Sequence, residues 1–223
     1  MARYTERTCL RCRRVGDKLM LKGVRCLTAK CAVERKKPPG GPGRGGRPGK
    51  GGGRPGKGGG RPGKVSDRGV QLLEKQRVRF TYGVMERQFR RSFVEAKRNP
   101  AATGEMLLVL MERRLDNVVY RLGFATSRPQ ARQLVSHGHI FLNGRRTDTS
   151  SCWVKPGDTI QWREGSTKTE YYKMLAEQVS GFTPPQWLTL DKEKMAGKVI
   201  GLPTRGDIDA RFKENTIVEF YSR

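Results

Sequence analysis

Apolar residues in this chain fall into helical and strand periods by turns. Leu115, Val118, Val119 and Leu122 recur at i, i+3, i+4 and i+7, the stripe of a helix packed on one side. Arg114, Asn117 and Arg121 are expected together on its opposite, solvent face. A second helix is predicted from Ser127, an N-cap with Gln130 three residues on as a capping box, to Gly138. It buries Ala131, Leu134 and Val135 and exposes Arg128, Arg132 and Ser136. Ile140 and Leu142 then alternate toward Asn143-Gly144, a two-residue hairpin turn followed by Arg145 and Arg146. The pattern is a helix-helix-hairpin unit with a cationic face suited to a phosphate backbone, although arginines alone fit a solvated surface equally well.

Upstream, Ser66 or Asp67 can cap a helix through Leu72, Leu73, Gln76 and Phe80, interrupted at Tyr82-Gly83. Another runs from Met85, burying Phe89 and Phe93 and ending before Pro100. Both are expected to expose arginines: Arg77, Arg79, Arg87, Arg90, Arg91 and Arg98. A short helix from Thr103 through Leu110 leads into the helix-helix-hairpin unit, and a further helix is predicted over Thr169–Val179. Short strands or turns are expected around Trp187–Leu190 and Lys198–Leu202, and Thr216–Tyr221 alternates like a strand.

Composition changes the picture in two places. The net charge is +25, from 46 Lys plus Arg against 21 Asp plus Glu, which implies a polyanionic partner. Nucleic acid is the default, since each neutralised phosphate releases counterion. No membrane partner is expected: the longest apolar run, Met106–Met111, cannot span a bilayer, and MARYTERTC lacks the apolar region of a secretion signal, so residence in the cytoplasm is expected. From Pro38 to Lys64 the chain turns into glycine-rich repeats, GGRPGK and then GGGRPGK twice. From Lys36 to Lys64 it has nine basic residues and no acidic one, so it reads as a disordered cationic arm along RNA or as a passive spacer.

Four of the five cysteines stand as Cys9-x2-Cys12 and Cys26-x4-Cys31. That spacing suits one tetrahedral ion, with Zn²⁺ the expected cofactor and an iron-sulfur cluster the rival; two disulfides are disfavoured in a reducing compartment. Arg7, Arg11, Arg13, Arg14, Arg25 and Lys30 are expected to lower the thiol pKa values. The ion would staple a segment too polar to fold alone. Cys152, beside Trp153, reads as a buried thiol.

The runs LDNVVYRLGF, SRPQARQLVSHGHI and LNGRR resemble the RNA-binding module of the ribosomal S-four type. With RCLTAKC, CAVERKKPPG, EKQRVRFTYGVMERQFRRSF, PQWLTLD and IVEFYSR, residues 1–39 and 65–223 resemble the bacterial small-subunit ribosomal protein S-four family, zinc-containing subtype. The glycine repeats depart from it, replacing a short basic connection of the Gln-His-Gly kind. The resemblance implies an α+β fold: a metal-stapled segment 1–39, an arm 40–64, a helical RNA-binding domain 65–111, the inserted module 112–175, and a C-terminal region 176–223 packing back on the helical domain. It further implies a primary binder of small-subunit rRNA that clamps a junction in the 5′ domain. Such a protein nucleates assembly of the subunit body, lies near messenger RNA as it enters, and contributes to accuracy beside neighbouring ribosomal proteins. The RNA contacts implied are Arg114, Asn117, Arg121, Arg128, Arg132, Ser136, His137, His139, Asn143, Arg145 and Arg146 in the module. Arg77, Arg79, Arg87, Arg90 and Arg91 join them from the helical domain, and Arg13, Arg14, Lys36 and Lys37 from the first segment. Junction shape, rather than base edges, would supply specificity.

Two other classes stay in view. An enzyme would need a catalytic domain, and neither Asp116, within LDN, nor Asp158, in a KPGD turn, shows a base or partner beside it that would make it catalytic. His137 and His139 flank a glycine at a helix end, a capping or phosphate-contact position, and no small-molecule substrate is expected. A zinc-containing DNA-binding regulator would need a groove-probing helix that the sequence does not present.

Overall fold

The computed structural model describes residues 4–35, 66–99, 102–179 and 181–222. Its eight α-helices among these residues are α1 (Thr8–Val15), α2 (Asp67–Thr81), α3 (Glu86–Ala96), α4 (Thr103–Glu112), α5 (Leu115–Arg121), α6 (Arg128–Ser136), α7 (Glu170–Val179) and α8 (Glu214–Ser222). Five short strands, β1 (Ile140–Leu142), β2 (Arg145–Arg146), β3 (Thr159–Trp162), β4 (Leu188–Asp191) and β5 (Ala196–Val199), form one antiparallel sheet in the order β2-β1-β3-β5-β4.

The apolar stripe of the module packs as its periodicity predicts. Leu115, Val118, Val119 and Leu122 from α5 are fully buried with Ala131 and Val135 from α6 and Ile140 and Ile160 from the sheet. The hairpin turn uses Asn143 at φ 52° and Gly144 at φ 73°, the left-handed pair such a turn requires. Leu122 packs closely over Gly197 of β5, where a Cβ would stand 2.4 Å from Leu122 Cδ1.

The expected capping box at Ser127 is not formed. Ser127 is the N-cap without a side-chain bond, and Gln130 Oε1 instead accepts from the backbone N–H of Thr126 at 3.0 Å and from its hydroxyl at 2.7 Å. The reach is one residue longer because Pro129 occupies the first turn and Ser127 is fully extended, at φ −154°.

The second core joins α2, α3, α4 and α8 through Val78, Phe89, Phe93, Leu107, Leu108, Met111 and Ile217. Here the alternation read over Thr216–Tyr221 is corrected, because that run is helical. Ile217 is buried, Val218 and Tyr221 pack beside it, and the Tyr221 ring lies 4.6 Å from that of Phe93. The expected C-terminal region also divides. β4 and β5 extend the module's sheet, whereas α8 packs on α2 and α4. A third small core of Cys12, Val15, Leu19 and Leu21 closes on Phe80 of α2, which ties the first segment to the helical domain.

Candidate nucleic-acid interface

The turn from α4 into α5 joins the two larger cores, and two buried carboxylates organise it. Glu112, 1% exposed at the end of α4, accepts from Arg121 Nε at 2.9 Å and Nη2 at 2.8 Å. Asn117 Nδ2 at 2.6 Å and the Tyr82 hydroxyl at 2.5 Å complete its shell. Burial would push this carboxyl up, but the Arg121 guanidinium, with Arg128 and Tyr82 behind it, outweighs burial and holds it below its ordinary range. Burial and the neighbouring Glu112 charge push the Tyr82 phenol well above its ordinary value, so it stays a donor.

Asp116 is the second hub. Arg114 forks onto it from Nε at 3.2 Å and Nη2 at 3.1 Å, and Arg132 donates from Nε at 3.0 Å. Its partners are thus two guanidinium groups that it holds in place, and neither is a base that could draw a proton for catalysis.

These pairings correct the solvent face expected of α5. Arg114 and Asn117 are buried, and Arg121 also donates to the Asp207 carbonyl at 3.3 Å. A half-cationic stripe is drawn inward here because α4 and the C-terminal segment supply acceptors at its level. Arg128 donates to Asn117 Oδ1 at 2.7 Å and lies over the Tyr120 ring at 4.6 Å. Arg132 reaches out of the module to the Gly83 carbonyl at 2.6 Å. Both are half-buried, and both stitch the module to the α2–α3 turn.

In the helical domain, Arg77 and Arg79 are likewise paired rather than free. Arg77 meets Asp17 at 3.3 Å and bonds Glu74, and Arg79 meets Glu86 at 2.5 Å while lying 5.1 Å from the Phe80 ring. Arg87, Arg90 and Arg91 on α3 are exposed as expected, and no ion pair joins them among the described residues. Arg13 is half-buried and Arg14 pairs with Glu6 at 3.0 Å on the surface.

At the other end of α6 lies a second exposed cluster of Ser136, His137, Arg145 and Arg146. Arg146 folds over Gly138, where a Cβ would meet its Nε at 2.6 Å, so the glycine both ends the helix and admits this arginine. His139 Nδ1 bonds Ser166 Oγ at 2.9 Å, and burial, with His137 and Arg163 nearby, lowers its pKa. Asn143 is occupied within the fold, donating to Asp158 and accepting from the Thr159 N–H at 2.8 Å each. Lys36, Lys37 and the arm 40–64 lie outside the described residues.

Between α1, the α2–α3 turn and α6 opens a cleft of about 490 Å³. Arg11, Arg128, Arg132, Gln133 and His137 face into it, with Tyr4, Phe80 and Tyr82, and no Asp or Glu among the described residues lines it. Periodicity and spacing announce neither this cleft nor Glu112. In the sequence Glu112 stands only as a carboxylate closing an apolar helix just before an Arg-Arg pair, and that is the signal available.

The four N-terminal cysteines line one cavity of about 20 Å³, with Lys18, Lys22, Arg25 and Lys30 around it. All are free thiols, so no disulfide joins them. The Lys22 N–H points to Cys26 Sγ at 3.3 Å. As they stand, no group of three or more His, Cys, Asp or Glu among the described residues is arranged to hold an ion. The four thiols are the donor type that Zn²⁺ favours, but they share the cavity without the geometry of an ion site. The expected lowering is reversed at Cys12: burial, and the three neighbouring cysteines, push its thiol up. Cys152 is half-buried against the module core, and burial raises its pKa too.

Among the described residues no helix is long and apolar enough to cross a membrane. The family described as ribosomal protein S4/S9 N-terminal domain matches residues 3–112, and the S4 domain matches residues 113–160. The chain is 50% identical to the small ribosomal subunit protein uS4 of Dehalococcoides mccartyi (strain CBDB1), over 223 residues covering all of both chains. It is 48% identical to that of Syntrophomonas wolfei and 49% identical to that of Geobacter sp. (strain M21), again over the full length of each. These relatives are structural ribosomal proteins rather than enzymes. With both domain families matched in succession and half the residues identical from end to end, the chain belongs to the small ribosomal subunit protein uS4 family.

Proposed function

We propose that this chain is a structural component of the small ribosomal subunit that binds small-subunit rRNA through two cationic surfaces joined by one buried polar junction. The observation that carries this reading is the contrast between its arginines. Those at the domain junction are consumed by Glu112 and Asp116, whereas Arg87, Arg90 and Arg91 on α3 and Arg145 and Arg146 on the hairpin stay exposed and unpaired among the described residues. Two basic surfaces joined through the buried Glu112 junction would position phosphates of separate RNA helices, which reads junction shape rather than sequence.

The RNA target proposed is a multi-helix junction of the 5′ domain. The chain would then be an early binder that nucleates the subunit body, with neighbouring ribosomal proteins and incoming messenger RNA as further partners and with an effect on accuracy. The support for this is the full-length similarity to uS4 proteins of three bacteria. Zn²⁺ is the proposed cofactor, held by Cys9, Cys12, Cys26 and Cys31, with an iron-sulfur cluster as the alternative. It would supply a structural cross-link for a segment whose own core is small.

The experiment is a filter-binding titration of the full chain against the isolated rRNA junction and against a random RNA of equal length, with co-sedimentation on the small subunit after a high-salt wash. Discrimination between the RNAs and stoichiometric retention are expected. Equal affinity for both RNAs, or loss in the wash, refutes the proposal.

A further inference from the structure

Arg11 is 6% exposed, yet its Nε has no hydrogen-bond partner and no carboxylate pairs with it among the described residues. A buried guanidinium without a paired carboxylate is costly, and an anion from outside would offset that cost. The group is also held ready. It lies 4.1 Å over the Tyr4 ring, and Tyr4 is fixed in turn by its hydroxyl donating to the Val84 carbonyl at 2.8 Å and by edge contact with Phe80. Arg11 opens on the cleft described above, which is also lined by Arg128 and Arg132 of α6. These two are themselves held by hydrogen bonds to Asn117, Asp116 and Gly83.

Building on the RNA-binding reading, we propose that this cleft seats one backbone phosphate of the bound RNA together with the unstacked nucleotide that carries it, Arg11 being the buried anion-binding group. Arg11 supplies the uncompensated guanidinium, and Arg128 and Arg132, although engaged with Asn117, Asp116 and Gly83, add positive charge to a space lined by no carboxylate among the described residues, a match to a phosphodiester. At about 490 Å³ the space is far larger than an ion needs and falls in the range of pockets that enclose a small ligand. The aromatic lining offers apolar contact to a splayed base, the state in which RNA bases are open to recognition. Planar, stacked guanidinium is the group suited to phosphate, which separates Arg11 from an equivalent lysine.

The test uses full-length wild type, Arg11→Met and Arg11→Lys, each measured for rRNA-junction affinity across a salt titration and for thermal stability without RNA. Arg11→Met should weaken RNA binding about ten- to hundred-fold and shallow the salt slope by about 0.7 to 0.9. Its Tm should be unchanged or raised, because a buried unpaired charge has gone. Arg11→Lys should fall between wild type and Arg11→Met in affinity. Unchanged affinity and slope in Arg11→Met overturn the proposal. So does a parallel loss of Tm and affinity, which marks a structural arginine. Adenosine monophosphate and inorganic phosphate are the free probes: wild-type binding of either well below about 1 mM assigns the cleft to a free ligand and overturns the RNA assignment. A wild type that bound no RNA would refute the proposed function first, and this seat with it.

Discussion

The guanidinium of Arg121 forks onto the carboxylate of Glu112, and this pair sits where α4 hands over to α5. Because Tyr82 from the α2–α3 turn bonds the same carboxylate, the two larger cores share one buried charge. Glu112→Ala strips its donors of their acceptor and leaves Arg121 uncompensated. Removing one partner of a buried pair costs about 3 to 5 kcal/mol, and urea unfolding should show a loss of that size. A loss under about 1 kcal/mol would mean that the pair is not what joins the cores.

The same carboxylates set the acid limit of the fold. Burial acting alone would raise Glu112, Glu86 and Glu214, but Arg121, Lys75 and Arg205 respectively prevail, and all three sit below the ordinary glutamate value of 4.5. A carboxyl depressed in the folded state contributes stability above its unfolded pKa, and that stability is lost as pH falls through the folded value. The urea midpoint should therefore hold steady down to about pH 5 and drop below it. In Glu112→Ala the drop should be shallower, and an unchanged acid limb would show that Glu112 takes no part.

Arg128 and Arg132 look like a polar helix face one turn apart, yet they are bound into the junction. Changing both to Glu places two carboxylates beside Glu112 and Asp116 and breaks the bond to Gly83. The double variant should lose several kcal/mol of stability and fail to refold cleanly, at least the cost of one broken buried pair of about 3 to 5 kcal/mol. Far-UV circular dichroism during urea unfolding checks this. Wild-type stability combined with abolished RNA binding would restore the simple surface reading.

The contrast shows what periodicity can and cannot convey. Leu115, Val118, Val119 and Leu122 announce their burial because apolar residues have one preferred place, and Asn143-Gly144 announces its turn because few residues accept φ above zero. Arginine has two destinations, water or a buried acceptor, and spacing cannot tell them apart. Arg114 and Arg121 are drawn inward by Glu112, Asp116 and Asp207, the last far away in sequence. Thr216–Tyr221 reads as a strand for a related reason: Ile217 and Tyr221 are one helical turn apart as well as on one strand face, and only packing on α2 and α4 decides. Arg11 acquires its setting only where α1 meets the α2–α3 turn.

The cysteine cavity carries its own prediction. If Cys9, Cys12, Cys26 and Cys31 hold one ion, elemental analysis of the purified chain should find one zinc per chain, and Cys12→Ser should release it. Limited proteolysis should then cut within residues 4–35 while the module, whose core lies elsewhere, stays resistant. An ion-free wild type, or iron with acid-labile sulfide in place of zinc, counts against the zinc assignment.

Exposed arginines should behave in the opposite way to the junction pair. Arg87, Arg90 and Arg91 lie on α3 with no ion pair among the described residues, while Phe89 and Phe93 turn from that helix into the core. Replacing the three by alanine removes charge without opening a cavity, so stability should stay within about 0.5 kcal/mol of wild type. Alanine also favours the helix, which keeps α3 intact. Each phosphate that these arginines no longer neutralise should shallow the plot of log affinity against log salt by about 0.7 to 0.9. A slope reduced by two to three such steps would place this helix against the RNA backbone. An unchanged slope would leave the hairpin arginines and the cleft as the whole of the interface, and would remove the second of the two surfaces on which shape reading depends.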